Sequence, residues 1–234
     1  MKKCEWLHNK LETLPLIQYP FQLEKLPING IYFFYETNEI IQNNKNSGKI
    51  VRIGTHKGDN FRSRISDHYL FNERKMYFDA MRPAPKDRSI FRKNIGRVLL
   101  NRDNDNYLDV WNIDFTEREK REKFGHLRDI DKEKKLEKNI THILRNDFSF
   151  RFVIIKDQDD RMGDKGLEKA LIGTVANCSC CGPSDSWFGR HSPEKKIRES
   201  GLWQVHYLNA DVINENQKQM IGDAIEKTKI WSER

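Results

Sequence analysis

Side chains that can carry out chemistry are concentrated between Gly30 and His68. This stretch contains Gly-Ile-Tyr-Phe-Phe-Tyr-Glu, then a polar segment, then Ile-Val-Arg-Ile-Gly-Thr-His-Lys and Phe-Arg-Ser-Arg-Ile-Ser-Asp-His-Tyr. It combines a tyrosine with several cationic groups, which a hydrophobic core rarely contains. Because arginine can donate two parallel hydrogen bonds to an anionic oxygen pair, this composition is suited to holding a phosphate group.

Two strands and a helix should position these side chains. Ile31 to Tyr35 and Lys49 to Thr55 are rich in β-branched and aromatic residues, and the Asn-Asn-Lys-Asn-Ser-Gly between them predicts a β-hairpin with a long loop. Helical spacing follows, with a buried face formed by Phe61, Ile65, His68 and Tyr69. Arg64 lies at the margin of that face, whereas Arg62 points away from it. A solvated charge is the usual fate of an arginine in the position of Arg62.

Charge is distributed unevenly along the chain. The formal net charge is +7 and the pI is about 9.1. Residues 45 to 102 contain 15 Lys and Arg against 5 Asp and Glu, whereas the rest of the chain contains 27 against 30. Since neutralising a phosphate backbone needs clustered cations, the sequence favours a nucleic acid as partner. The hydrophobic content of 37% in 234 residues permits one sizeable core, with or without an insertion.

Neither a membrane span nor a signal peptide is evident, so we expect a soluble cytoplasmic protein with reduced thiols. Cys178, Cys180 and Cys181 form a close group, and Cys4 is far away in sequence. A Cys-x-Cys-Cys group lacks a second paired half at zinc-finger spacing. Small residues in a tight loop are therefore favoured over a structural zinc site.

The remaining elements are predicted from periodicity. Ser89 is a plausible N-cap for a helix with Ile90, Phe91, Ile95, Val98 and Leu99 on its buried face. Before it, the basic loop from 70 to 88 could contact nucleic acid or pack under itself. Phe148 to Ile155 should be the third and central strand, and the helix that follows carries Glu168 beside its apolar stripe. A short strand over Gln204 to Leu208 and a last helix over Val212 to Trp231 complete the prediction.

A highly charged segment from Thr116 to Asn146 separates these elements. Its sparse apolar residues predict one or two surface helices, inserted into the core fold. Balanced charge favours a solvated face, and a protein-interaction surface is the weaker alternative.

These motifs together resemble the GIY-YIG nuclease superfamily, and in particular a branch of bacterial and phage members. The resemblance to that branch does not imply what its members cut. The resemblance rests on Gly30-Ile31-Tyr32, Ile53-Gly54-Thr55-His56, the basic helix with Arg64, and an acidic residue in the helix after the third strand. Leu-Pro-x-x-Gly-Ile-Tyr-Phe-Phe, Ser-Ile-Phe-Arg-Lys-Asn-Ile-Gly and Ser-Gly-Leu-Trp support that branch. The resemblance covers Leu26 to Asn177 apart from the charged insertion.

The resemblance implies an α/β (α+β) fold with a small three-stranded antiparallel or mixed sheet flanked by helices. We expect an N-terminal helix and lead-in over 1–25 and a nuclease-like domain over 26–178. A charged helical insertion would cover 103–147, and a C-terminal helical extension over 179–234 would pack on the same domain.

The resemblance also implies a metal-dependent endonuclease acting on DNA, most simply double-stranded DNA. Tyr32 would position or deprotonate water, Arg64 would clamp phosphate, and Glu168 would bind Mg²⁺ or Mn²⁺. His56 could serve as an auxiliary base, and Asn177 could support the site. A phenol ordinarily has a pKa near ~10, so a tyrosine base needs neighbouring cations, which Arg52, His56 and Lys57 could provide.

Arg52 departs from the family pattern because it occupies the place of the second-motif tyrosine. It could contact phosphate, or it could mark a catalytically degenerate module that binds nucleic acid on the same fold. The candidate nucleic-acid contacts are Lys57, Arg62, His68, Lys86, Arg88, Arg92 and Lys93.

Overall fold

The computed structural model describes residues 2–42, 44–72 and 78–233, without the side chains of 44–46. Arg74 and Lys75 of the predicted basic loop lie outside these residues. The strands are β1 (Ile17–Gln18), β2 (Ile31–Ile41), β3 (Asn44–Gly54) and β4 (Phe148–Val153). The helices are α1 (Lys3–Leu11), α2 (Phe61–Tyr69), α3 (Pro85–Arg88), α4 (Ile90–Arg102), α5 (Leu108–Asn112), α6 (Arg118–Phe124), α7 (Ile130–Asp147), α8 (Gln158–Arg161), α9 (Leu167–Ala176), α10 (Lys195–Ser200) and α11 (Glu215–Ser232). Short 3₁₀ turns cover Leu23–Lys25, Gly125–Leu127 and Phe188–His191.

The four strands form one antiparallel sheet in the order β1-β4-β2-β3. Our expectation of three strands is therefore wrong. The additional strand, β1, has two residues and pairs Ile17 with Phe150, and so short a strand leaves no periodic signal in the sequence. β4 is central, as predicted. Gln204 to Leu208 does not form a strand, although the backbone beside it bonds to the edge of β3 through Trp203 N–H and the Val51 carbonyl.

Strand alternation divides the core between the two faces of the sheet. Tyr32 and Phe34 lie on the face covered by α2, α4 and α7, while Ile31 and Phe33 lie on the face covered by α1, α9 and α11. Successive residues of a strand point to opposite faces, so Gly-Ile-Tyr places its tyrosine on the side of the basic helix α2. Glu168 lies at the start of α9, which covers the opposite face of the sheet.

The charged segment is more deeply integrated than we predicted. α7 leads directly into β4, and Ile140 and Leu144 belong to the core. Glu133 and Glu137 are buried on the same helix, where they pair with Arg128 and Arg92. The expectation of a solvated face is wrong at Glu133 and Glu137. Arg92 is 45 residues from Glu137 in sequence, and the charge pattern does not reveal that Arg128, five residues before Glu133, is buried with it.

No helix within the described ranges combines the length and the apolar composition needed to cross a bilayer.

Candidate active site

Tyr32 is the second residue of β2 and is only 1% exposed. Its ring packs edge-on against Phe34, Phe61 and His68, with centroids 5.4–6.1 Å apart. Gly54, its cross-strand partner, makes room for it: a Cβ on Gly54 would lie 2.4 Å from the Tyr32 hydroxyl oxygen. The glycine of the second motif is therefore required by the position of the first-motif tyrosine.

His68 lies beside that hydroxyl. A hydrogen bond of 3.1 Å joins His68 Nε2 to Tyr32 Oη, and one of 2.8 Å joins His68 Nδ1 to Ser89 Oγ. The Ser89 hydroxyl also accepts from Arg92 N–H and caps α4, as the sequence predicts. Burial holds the pKa of His68 well below its ordinary value, and the nearby Arg64, Arg52 and Arg92 charges lower it further. The ring is therefore neutral at physiological pH.

This placement contradicts the predicted role of His68 as a nucleic-acid contact. Its side chain is 0% exposed. The helical pattern correctly put it on the buried face of α2, and its neighbour there is the tyrosine hydroxyl.

Arg52 lies on β3 with its guanidinium inside the protein. It donates to the Trp203 carbonyl and lies 5.1 Å from the Phe91 ring centroid. Among the residues that the structure describes, none forms a hydrogen bond with its Nε. Burial lowers the pKa of Arg52, and the Arg64 charge adds to this, while Tyr32 and Glu168 oppose it. Tyr32, Arg64 and Glu168 therefore all act electrostatically on Arg52.

Arg64 is half-buried on α2. One guanidinium nitrogen donates to the Arg88 carbonyl at 2.8 Å. Its charge acts on Arg52, His68 and Glu168. An arginine in this position keeps further N–H donors for an anionic ligand.

Glu168 lies in the first turn of α9, and its Oε1 accepts a 3.1 Å hydrogen bond from Thr55 N–H. This bond connects α9 to the end of β3. Burial raises the pKa of Glu168, while Arg52, the Thr55 N–H and Arg64 each lower it. The hydrogen bond from Thr55 uses Oε1, so Oε2 is the oxygen that could ligate a cation. A single carboxylate fits a hard ion such as Mg²⁺, which keeps several waters and takes other ligands from a substrate phosphate.

His56 is held by a different set of groups. Arg161 donates to its Nε2 at 2.8 Å, Gly30 N–H donates to the same nitrogen at 3.3 Å, and Asn60 N lies 3.2 Å from Nδ1. Burial, followed by the Arg161 charge, lowers the pKa of His56 to about 4. Nε2 is therefore the acceptor nitrogen of the neutral ring, and the Arg161 and Gly30 donors occupy the lone pair that an auxiliary base would need. Sequence reasoning missed Arg161, which carried no signal beyond an ordinary charge in a turn.

Asn177 lies at the opposite end of α9 from Glu168. Its side chain donates to the Gly173 and Ala210 carbonyls and caps the helix. The structure therefore does not bring Asn177 together with the other predicted site residues.

The side chains predicted to contact nucleic acid differ in their exposure to solvent. Lys57 and Arg88 are exposed, and Arg62 is half-buried with its Nε bonded to the Leu26 carbonyl. Lys86, Arg92 and Lys93 are buried, which argues against the phosphate contacts that we predicted for them. Arg92 pairs with Glu137 at 2.9 Å, and Lys86 donates to Asp87 and to the Ile113 carbonyl. Burial, with the Lys86 charge, lowers the pKa of Lys93 to about 8.

Comparison with known proteins gives one match. A family model described as a GIY-YIG domain matches residues 7–230. Searches of curated proteins and of solved structures gave no match.

Proposed function

Because this chain belongs to the GIY-YIG domain family, we propose that it is a metal-dependent endonuclease that hydrolyses phosphodiester bonds in double-stranded DNA. The family itself indicates a nuclease-type function and a nucleic-acid substrate. The observation that carries the finer proposal is the cluster of Tyr32, Arg52, Arg64 and Glu168. Four separate elements contribute these residues, and Glu168 lies more than a hundred positions after the others.

The chain's own residues then have distinct roles. Tyr32 orients the attacking water or, as a phenolate, accepts its proton, and the neutral His68 is hydrogen-bonded to the Tyr32 oxygen. Arg64 donates to a nonbridging phosphate oxygen, where its charge offsets the negative charge that develops there. Arg52 donates to the Trp203 carbonyl, so we assign it an indirect role in which its charge acts on the other residues of the cluster.

Glu168 would hold the divalent ion through Oε2. A hard ion bound there would supply Lewis-acid stabilisation and a more acidic water. The Thr55 N–H keeps the carboxylate oriented whether or not the ion is bound.

Cleavage of plasmid DNA tests this proposal. With Mg²⁺ or Mn²⁺ the wild-type protein should nick or cut the plasmid. Glu168→Gln and Tyr32→Phe should lower the rate by at least about 100-fold, since each removes a group needed only for the reaction. Glu199→Gln and Tyr207→Phe are matched controls, because both side chains are exposed and outside the cluster. Binding of the same DNA in EDTA should survive all four substitutions.

Two results would contradict the proposal. One is a Glu168→Gln protein that cuts as fast as the wild type. The other is a wild-type protein that binds DNA in a salt-sensitive way but cuts neither DNA nor RNA with any divalent ion. The second result would identify the degenerate binding module, for which the buried Arg52 in place of a tyrosine is the favouring observation.

A further inference from the structure

Four cysteines and a histidine from distant parts of the chain meet on the side of α9 away from Glu168. Cys4 and His8 lie on α1, and Cys178, Cys180 and Cys181 lie in the loop after α9. The sulfurs of Cys4, Cys178 and Cys181 all lie within 4.8 Å of one another. Cys4 Sγ is 3.5 Å from Cys181 Sγ, and Cys181 Sγ is 3.4 Å from His8 Nε2. Cys180 Sγ is 2.9 Å from Cys178 Sγ.

Local structure explains how these groups come together. Residues four apart share one face of a helix, so Cys4 and His8 point the same way from α1, beside the core residues Leu7 and Leu11. The cysteine loop is fixed by backbone hydrogen bonds. Cys178 N–H donates to Val175, Cys181 N–H donates to Cys178, and the Cys180 carbonyl accepts from Gln42 N–H.

The cluster has the composition and spacing of a thiolate metal site. In tetrahedral zinc sites the Zn–S distance is about 2.3 Å, which puts neighbouring sulfurs about 3.8 Å apart. The Cys4–Cys181 and Cys181–His8 separations are close to that edge length. All four cysteines are free thiols. The paired half that the Cys-x-Cys-Cys sequence lacks is supplied by Cys4 and His8, some 170 residues away in the chain.

We propose that Cys4, Cys178 and Cys181 bind a structural zinc ion, with either His8 or Cys180 as the fourth ligand. The ion would fasten α1 to the end of α9. α9 has ten residues, so this site is separated from Glu168 by roughly the length of that helix, ~15 Å at 1.5 Å per residue. The zinc is therefore distinct from the divalent ion proposed at Glu168, and its role does not depend on the nuclease proposal.

Metal analysis of the full chain tests the proposal. Untagged protein from zinc-supplemented culture, purified with a non-chelating reductant, should contain about one zinc per chain by mass spectrometry. Cys4→Ser and Cys181→Ser should reduce this to below about 0.1 per chain. Ser179→Ala, an exposed change within the same loop, should leave it unchanged.

Two further variants identify the fourth ligand. His8→Gln and Cys180→Ser should differ, with only one of them lowering the zinc content. Exposed His191 provides the matched control for His8 through His191→Gln.

A measurement on the wild-type protein covers the case in which a cysteine variant fails to fold. Replacement of the metal by Co²⁺ should give the intense visible bands of tetrahedral cobalt with thiolate ligands. The proposal is overturned if reduced wild-type protein contains no zinc and gives no such bands. It is equally overturned if intact mass and thiol counting show that protein purified without reductant contains a disulfide within this group.

Discussion

Substituting Gly54 by alanine should greatly slow the proposed nuclease, although it replaces none of the catalytic side chains. A Cβ at this position would lie 2.4 Å from the Tyr32 hydroxyl oxygen and 2.6–2.7 Å from two ring carbons. To regain an ordinary contact of about 3.5 Å, the ring must move by about 1 Å. Tyr32 cannot move freely, because Phe34, Phe61 and His68 pack against its ring.

The expected losses in cleavage rate and in stability follow from this displacement of the Tyr32 ring. A shift of about 1 Å breaks the 3.1 Å hydrogen bond to His68 and misplaces the hydroxyl, and errors of that size cost about 100-fold in rate. Overpacking a buried site costs about 1–3 kcal/mol in the free energy of unfolding. We therefore expect a folded but less stable protein that cuts about 100-fold more slowly.

Plasmid cleavage under single-turnover conditions and urea unfolding measure the two effects separately. Gly222→Ala is the control, since a Cβ there meets Trp6 at an ordinary 3.5 Å and alanine favours a helix. If the loss acts through the hydroxyl, Gly54→Ala should add little to Tyr32→Phe in a double-mutant cycle. A folded Gly54→Ala protein that cuts at the wild-type rate would refute the assigned position of Tyr32.

Three further predictions concern buried charge and DNA contact. Glu137→Leu should lower the free energy of unfolding in urea by about 3–5 kcal/mol, because it leaves the buried Arg92 charge without its carboxylate partner. Glu122→Gln, in an exposed pair, should not change it measurably. Burial raises the pKa of Glu36 to about 7, against hydrogen bonds from the Trp203 and Trp187 indoles that lower it. The folded protein then holds this proton more tightly than the unfolded chain, so the free energy of unfolding should fall by up to about 3 kcal/mol between pH 4.5 and 7. Urea unfolding at a series of pH values should show this fall in the wild type and not in Glu36→Gln. Lys57→Ala should reduce the salt slope of DNA binding by about one. The control is Lys123→Ala, since Lys123 is exposed like Lys57, and equal slopes for the two variants would exclude a phosphate contact at Lys57.

The sequence predicted elements whose signals are local. The hairpin core, the buried face of α2, the Ser89 cap and the central position of β4 all follow from alternation, helical spacing or a hydroxyl at a helix start. Glu168 was correctly placed near the start of a helix, because apolar spacing marks that helix. The order of strands and helices in the family adds the expectation that Glu168 lies close to the hairpin in the folded protein.

Long-range pairing was not predictable from the same patterns. Arg92 and Glu137 are 45 residues apart, and each alone has the appearance of a solvated charge. Cys4 and Cys181 are 177 residues apart, so no spacing rule connects them. His68 was assigned to the correct face, but its role depended on a partner, Tyr32, in a different element.

The charges of the cluster determine when a divalent ion should bind. Glu168 is a carboxylate on which two cations act, Arg52 and Arg64, and the His68 ring beside Tyr32 is neutral. A site with net positive charge attracts phosphate but holds Mg²⁺ weakly by itself. DNA phosphate supplies the missing negative charge and further oxygen ligands. Metal and DNA should therefore bind cooperatively, and the arginine in place of the second tyrosine strengthens this coupling because it adds a buried positive charge where the family pattern has a neutral ring.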